Sequence, residues 1–264
     1  MTSQAAGVRE VLGWLERRGS ARTREEMLTR YGITAPRAYG VPVGTIQQLA
    51  KQLGRDHELA AALWATGWYE ARMLTAYIDD PEEVTAAQMD RWAGDFDNWG
   101  ICDTICFNLF DRTPLAWKKL EPWSRRREEF VKRAAFALLA GLALHDKAAA
   151  DAGFLRGLML VEREAGDERN FVKKGLSWAL RVVGRRNQVL NEAAVGVSQR
   201  LADSDAPAAR WVGRGALREL TGPLVRRKLR AGRTGRTGRT GRTGRTGKTG
   251  KTGKTGSADK RGGR

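Results

Sequence analysis

The chain has very little cysteine: only Cys102 and Cys106, one helical turn apart. That argues against a secreted disulfide framework and makes a reducing, cytoplasmic setting the expectation. Histidine is just as scarce. His57 and His145 lie far from both thiols in sequence, so no metal site is expected and the cysteines read as small buried apolar groups. No metal and no organic cofactor has a motif here. No apolar run is long enough to span a bilayer, and Met1 is not followed by a signal-peptide pattern, so no membrane partner is expected. No segment alternates apolar and polar residues as a half-buried strand would. Acid is in short supply too: 30 Asp and Glu face 47 Lys and Arg, for a formal charge of +17. Residues 233–264 hold +10 of this and the remainder +7, so both parts are basic. Such a balance suits a polyanionic partner, with nucleic acid favoured over an anionic membrane.

What the chain has in abundance is helical periodicity. Residues 4–19 place Val8, Val11, Leu12 and Leu15 on one face. Gly32 closes a helix over 23–31, and a loop with two Pro and two Gly spans 32–42. A helix over 43–53 stops at Gly54; Asp56 caps the next, which Gly67 breaks; another carries Glu70-Ala71-Arg72 to about Ile78; Thr85 caps 86–93. Beyond Trp99 the pattern stays helical over 99–110, 125–145, 151–165, 168–185, 187–202 and 205–220, and Pro223 is read as the end of the folded part. Phe130-Val131-Lys132-Arg133-Ala134 returns forty-one residues later as Phe171-Val172-Lys173-Lys174-Gly175, with a looser third copy near Ala209-Arg210-Trp211-Val212. A period near forty in an all-helical chain is the mark of HEAT-type repeats. The expected fold is all-α: an α-α superhelix, or solenoid, of HEAT-like helical repeats over residues 1–224, followed by a disordered basic tail over 225–264. A plain helical bundle is the alternative that the internal echo disfavours.

Three places carry chemistry. Trp99 and Asp103, four residues apart, share one helix face. The same spacing serves a core indole and a capping or solvated carboxylate, and spacing alone leaves both open. In 168–185, Val172, Leu176, Ala179, Leu180 and Val183 form the apolar stripe, so Phe171, Lys174, Trp178, Arg181 and Arg185 occupy a different face. An indole among cations suits a nucleic-acid backbone, and equally a surface Trp shielded by Arg stems. In 125–145, Arg133 flanks the apolar face. Its fork suits a phosphate, and an intrahelical pair with Glu129 is the plainer alternative. The tail repeats Arg-Thr-Gly five times and Lys-Thr-Gly three times with no apolar residue. Disorder and sequence-blind, salt-sensitive affinity for nucleic acid follow, unless it is only a repeat expansion.

In order and spacing, these pieces resemble the bacterial DNA alkylation repair proteins of the AlkD type, the HEAT-like-repeat DNA glycosylases. The resemblance covers roughly 10–222. It rests on Gly40-Val41-Pro42-Val43 before Leu49-Ala50-Lys51, on Glu70-Ala71-Arg72, on Trp99-x-x-x-Asp103, on Phe130-Val131-Lys132-Arg133-Ala134, and on Phe171-Val172-Lys173-Lys174 with Trp178-Ala179-Leu180-Arg181. It implies a concave basic cleft for double-stranded DNA carrying alkylated bases, and hydrolysis of the N-glycosidic bond of cationic N3- or N7-alkylated purines without a flipped-base pocket. By position, it implies Trp99 packing on the lesion's sugar, Asp103 stabilising the sugar cation and positioning water, Trp178 and Tyr31 as further cleft aromatics, and Arg133 as a phosphate ligand. Lys174 and Arg181 join them as DNA-binding residues. A bacterial, cytoplasmic, nucleoid-associated monomer is the corresponding expectation. Asn98, where the best-known pattern has an aromatic, the 32–39 loop and the tail depart from the family. A DNA-binding protein that recognises damaged or branched DNA without excising anything is therefore the second reading, and a protein-interaction scaffold the third.

Overall fold

In a computed structural model of the chain, residues 3–237 are described, and all regular structure among them is helical. Helices α1 (Ser3–Glu16) and α2 (Ala21–Thr29) lead through a loop into α3 (Val43–Leu53), α4 (His57–Ala65), α5 (Tyr69–Ile78) and α6 (Ala86–Gly94). Next comes α7 (Trp99–Asn108), with a 3-10 turn at Phe110–Arg112, and then α8 (Ala116–Ser124) and α9 (Glu129–His145). The rest is α10 (Asp151–Glu164), α11 (Asn170–Gly184), α12 (Gln188–Ala202), α13 (Pro207–Leu220) and α14 (Pro223–Thr237).

The helices stack in two layers. From α3 to α13 each odd-numbered helix packs on the next odd one, and α8, α10 and α12 pack in series behind them. This is the HEAT-like solenoid that the forty-residue echo predicts: α9, α11 and α13 are successive copies lying side by side. The core runs between the layers. The expected stripes, Val131, Ala134, Ala135, Leu138 and Leu142 on α9, and Val172, Leu176, Ala179, Leu180 and Val183 on α11, are buried throughout. Each large side chain so placed contributes about 1.5–3 kcal/mol. Cys102 and Cys106 are buried and unbonded to each other, their sulfurs facing the Phe130 and Ala134 carbonyls at 3.5 and 3.6 Å.

Local signals set most boundaries. Asp56 and Thr85 cap α4 and α6 through bonds from the Leu59 and Gln88 amides, as the sequence suggests. The Glu70 carboxylate, fully buried on α5, accepts the backbone N–H groups of Tyr39, Gly40 and Val41 and so holds the loop that follows α2. Gly40 sits there at φ 81°, and a Cβ on it would lie 2.2 Å from the Ser20 carbonyl oxygen, so no other residue fits.

One boundary differs. Pro223 opens α14 instead of ending the fold. A proline is well suited to the first helical position, where its missing N–H is not needed. Val225 is buried, and the helix packs on α13. The expected disorder of the tail falls mostly on residues 238–264, which lie outside the described part. Among the described residues no helix is long and apolar enough to cross a membrane, and no group of three His, Cys, Asp or Glu is placed to hold a metal ion.

Candidate nucleic-acid interface

Asn98 starts the site. It is buried, and its side chain caps α7 by accepting from the Ile101 amide. The residue that departs from the family pattern thus has a structural task of its own. Gly100 follows, with so little room that a Cβ would come within 2.7 Å of the Tyr69 hydroxyl and 3.0 Å of Ile33. This close approach brings the start of α7 against the loop after α2. There the Trp99 indole N–H donates to the Tyr31 carbonyl at 2.9 Å.

Trp99, Asp103, Arg133, Lys174, Trp178 and Tyr31 line one hollow of about 400 Å³, joined by Arg30 and Phe171. Four elements supply it: the end of α2 with its loop, α7, α9 and α11. Trp99 and Trp178 are half-buried, while Tyr31 and Lys174 are exposed. Arg30 lies over the Tyr31 ring at 5.3 Å. Six of the seven residues expected at the site therefore meet. Arg181 does not reach it. Its guanidinium instead donates to Glu219 of α13 at 2.9 Å.

Arg133 differs from expectation in its surroundings. Neither a free phosphate ligand nor a partner of Glu129, it is buried behind Asp103. Its Nε and Nη2 donate to the two Asp103 oxygens at 2.8 and 2.6 Å, and Nη1 donates to the Phe171 carbonyl at 2.6 Å. With 8% of the side chain exposed and three donors engaged, Arg133 orients the carboxylate. The Asp103 side chain keeps 19% exposure. A carboxylate has about four acceptor positions, so the two bonds from Arg133 leave acceptor capacity on the side that meets the hollow. Burial pushes the Asp103 carboxyl above its ordinary range, although the guanidinium opposes this. Burial also works against the charge on Arg133, but the bonds to Asp103 prevail and raise its pKa.

Phe107 is the residue sequence reasoning missed. It stacks on Trp178 with centroids 5.9 Å apart, and His145 meets it edge-on at 4.3 Å. The signal was present: Phe107 is one more step of four along the face that carries Trp99 and Asp103. The arrangement offers a hollow walled by indoles, a cationic rim at Arg30 and Lys174, and one carboxylate fixed by its own counterion. It can hold a cationic or cation-forming group while neighbouring phosphates meet the rim.

The chain is similar to other proteins over most of its length. No individually curated protein matches it. A solved structure described as belonging to "a new family of proteins related to the HEAT-like repeat DNA glycosylases with affinity for branched DNA structures" shares the fold, with a TM-score of 0.67 over 84% of this chain and 95% of its own, at 22% identity. The family model described as "DNA alkylation repair enzyme" matches residues 14–220, a span that includes every residue of the hollow. The chain belongs to the DNA alkylation repair enzyme family.

Proposed function

We propose that the protein is a monofunctional DNA glycosylase that releases cationic N3- or N7-alkylated purines from duplex DNA. The observation that carries the reading is the Asp103 carboxylate, held at two points by Arg133 and facing a hollow walled by Trp99 and Trp178. A cationic alkylpurine needs no general acid. The bond from C1′ to the ring nitrogen breaks, its electron pair stays with the base, and the base leaves neutral. Positive charge then builds on the sugar. A carboxylate fixed beforehand beside that charge stabilises it without reorganising, and an indole face attracts it as well. Water adds its oxygen to C1′ and gives up a proton. Glycosidases that cut neutral sugars use two carboxylates; one suffices here. No lysine is assigned a Schiff-base role, so strand cleavage is not expected.

The test is release of 7-methylguanine from methylated duplex DNA. Asp103→Asn is expected to lower the single-turnover rate by about 10²–10³-fold, the size of losing one preorganised electrostatic group. Equal release by both proteins removes Asp103 from its role. A second reading, DNA binding without excision, is favoured by Asn98 at a position where the family pattern has an aromatic, and by the branched-DNA affinity of the structural relative. Tight binding with no release from any alkylated duplex selects it.

A further inference from the structure

A second and larger hollow, about 1140 Å³, lies at the C-terminal end of the stack. The end of α9 with the turn after it, the ends of α11 and α13, and the start of α14 form its walls. Five cations line it against two carboxylates: Lys147, Arg185, Arg186, Arg218 and Lys228 against Asp151 and Glu219. Both acids are engaged. Glu219 lies between Arg181 and Arg185 at 2.9 and 3.1 Å, and Asp151 accepts from the Asn187 amide at 2.8 Å. Arg186 is engaged as well, donating to the Ala143 and Ala149 carbonyls and lying over Phe154. It shapes the wall. Among the described residues, Lys147, Arg218 and Lys228 are exposed and none of them forms an ion pair, the nearby pairs being those of Arg181 and Arg185 with Glu219.

We propose that this hollow seats the phosphate backbone of a DNA segment outside the lesion-facing site. Three observations select that occupant. The uncompensated charge is positive, and the volume is nearly three times that of the first hollow, which suits a strand more than a small anion. Arg185 stands two turns beyond Trp178 on the same helix, about 10 Å along its axis, so a strand at the first hollow reaches the second within a few phosphates. Helix α13 continues the surface. It carries Trp211, 48% exposed with the Lys173 ammonium at 5.1 Å, and then exposed Arg214 and Arg218 at steps of three and four. An aromatic followed by cations suits a sugar–phosphate chain. The protein's own tail, a run of cations, carries the wrong sign for the seat. Leu144 and Leu224 at the edge give an apolar surface for sugar carbons.

The inference rests on the reading of the chain as a DNA-binding protein, and not on excision. Its test is the full-length protein with Lys147→Gln, Arg218→Gln and Lys228→Gln combined. A control combines Arg9→Gln, Arg22→Gln and Arg156→Gln, three exposed cations elsewhere with the same total charge change. Affinity for an unmodified 40-base-pair duplex is measured by fluorescence anisotropy across NaCl concentrations. Each lost phosphate contact lowers the slope of log K against log salt by about 0.9. The expected result is a slope lower by about 2–3 in the first variant and by less than one in the control. Lys228→Gln alone, at an exposed position, is expected to take about one step and covers any folding defect in the triple variant. Equal slopes in the triple variant and control, or no change from Lys228→Gln, overturn the seat. Absence of salt-sensitive binding by the unsubstituted protein overturns the seat together with the DNA reading. Binding intact without base release leaves the seat standing and overturns only excision.

Discussion

At the scale of single residues, the informative pair is Asp103 with Arg133. Truncating Arg133 leaves a mostly buried carboxylate without its counterion, a change that costs about 3–5 kcal/mol. Arg133→Gln is expected to lower the urea midpoint accordingly. It also has a signature that a purely structural residue would not give. On the proposed mechanism excision needs Asp103 ionised, and burial already holds its pKa above the ordinary carboxylate range. Activity is therefore lost as pH falls through that raised value. Removing the guanidinium raises it further, so the acid limb of the single-turnover pH profile moves upward; an unmoved limb assigns Arg133 to stability alone. Asp111 offers a second titration. It is buried, bonded to His145 at 2.5 Å, and its Oδ1 has no hydrogen-bond partner among the described residues. Burial raises its pKa to about 6, with His145 opposing. The folded state thus keeps a proton that the unfolded chain loses between about pH 4 and 6, so stability falls as pH rises through that window and is level above it. Asp111→Asn is expected to flatten this slope, worth on the order of 2 kcal/mol, in urea titrations at pH 4.5, 6 and 8. An unchanged slope would show that another group titrates there.

At the scale of elements, α7 positions Trp99 and Asp103 in the hollow. Asn98 caps it, Gly100 lets it approach Tyr69 and Ile33, and Trp99 is then tied to the Tyr31 carbonyl. Asn98→Ala is expected to cost about 1 kcal/mol in urea unfolding, with most of it restored by Asn98→Ser. Loss beyond 3 kcal/mol, or no rescue by serine, would give Asn98 a task other than capping. Much of this scale was legible beforehand. The caps at Asp56 and Thr85, and the apolar stripes of α9 and α11, are local patterns of one residue against its near neighbours, and the structure has them where the sequence suggests. The clamp of Glu70 on residues 39–41 was not legible, because its partners lie 29 to 31 residues away on another element.

At the scale of the whole molecule, the basic charge is divided between a folded surface and a repetitive tail. Since α14 runs to Thr237, the cut that separates them falls after that residue, later than composition alone suggests. Deleting 238–264 removes nine cations and one acid. Weaker DNA binding with a flatter salt dependence is expected, while single-turnover excision by saturated protein stays near the full-length rate. Loss of chemistry at saturation would make the tail part of the site.

Helical class, repeat period, basic character and the shared face of Trp99 and Asp103 were determined by the sequence, since each depends only on composition or on spacing within one helix. Tertiary structure alone decided that Arg133 holds Asp103, that Arg181 turns to Glu219, and that a second basic hollow opens beside α14. Those contacts join residues 30 or more positions apart, and the stacking of one repeat on the next selects which side chains meet.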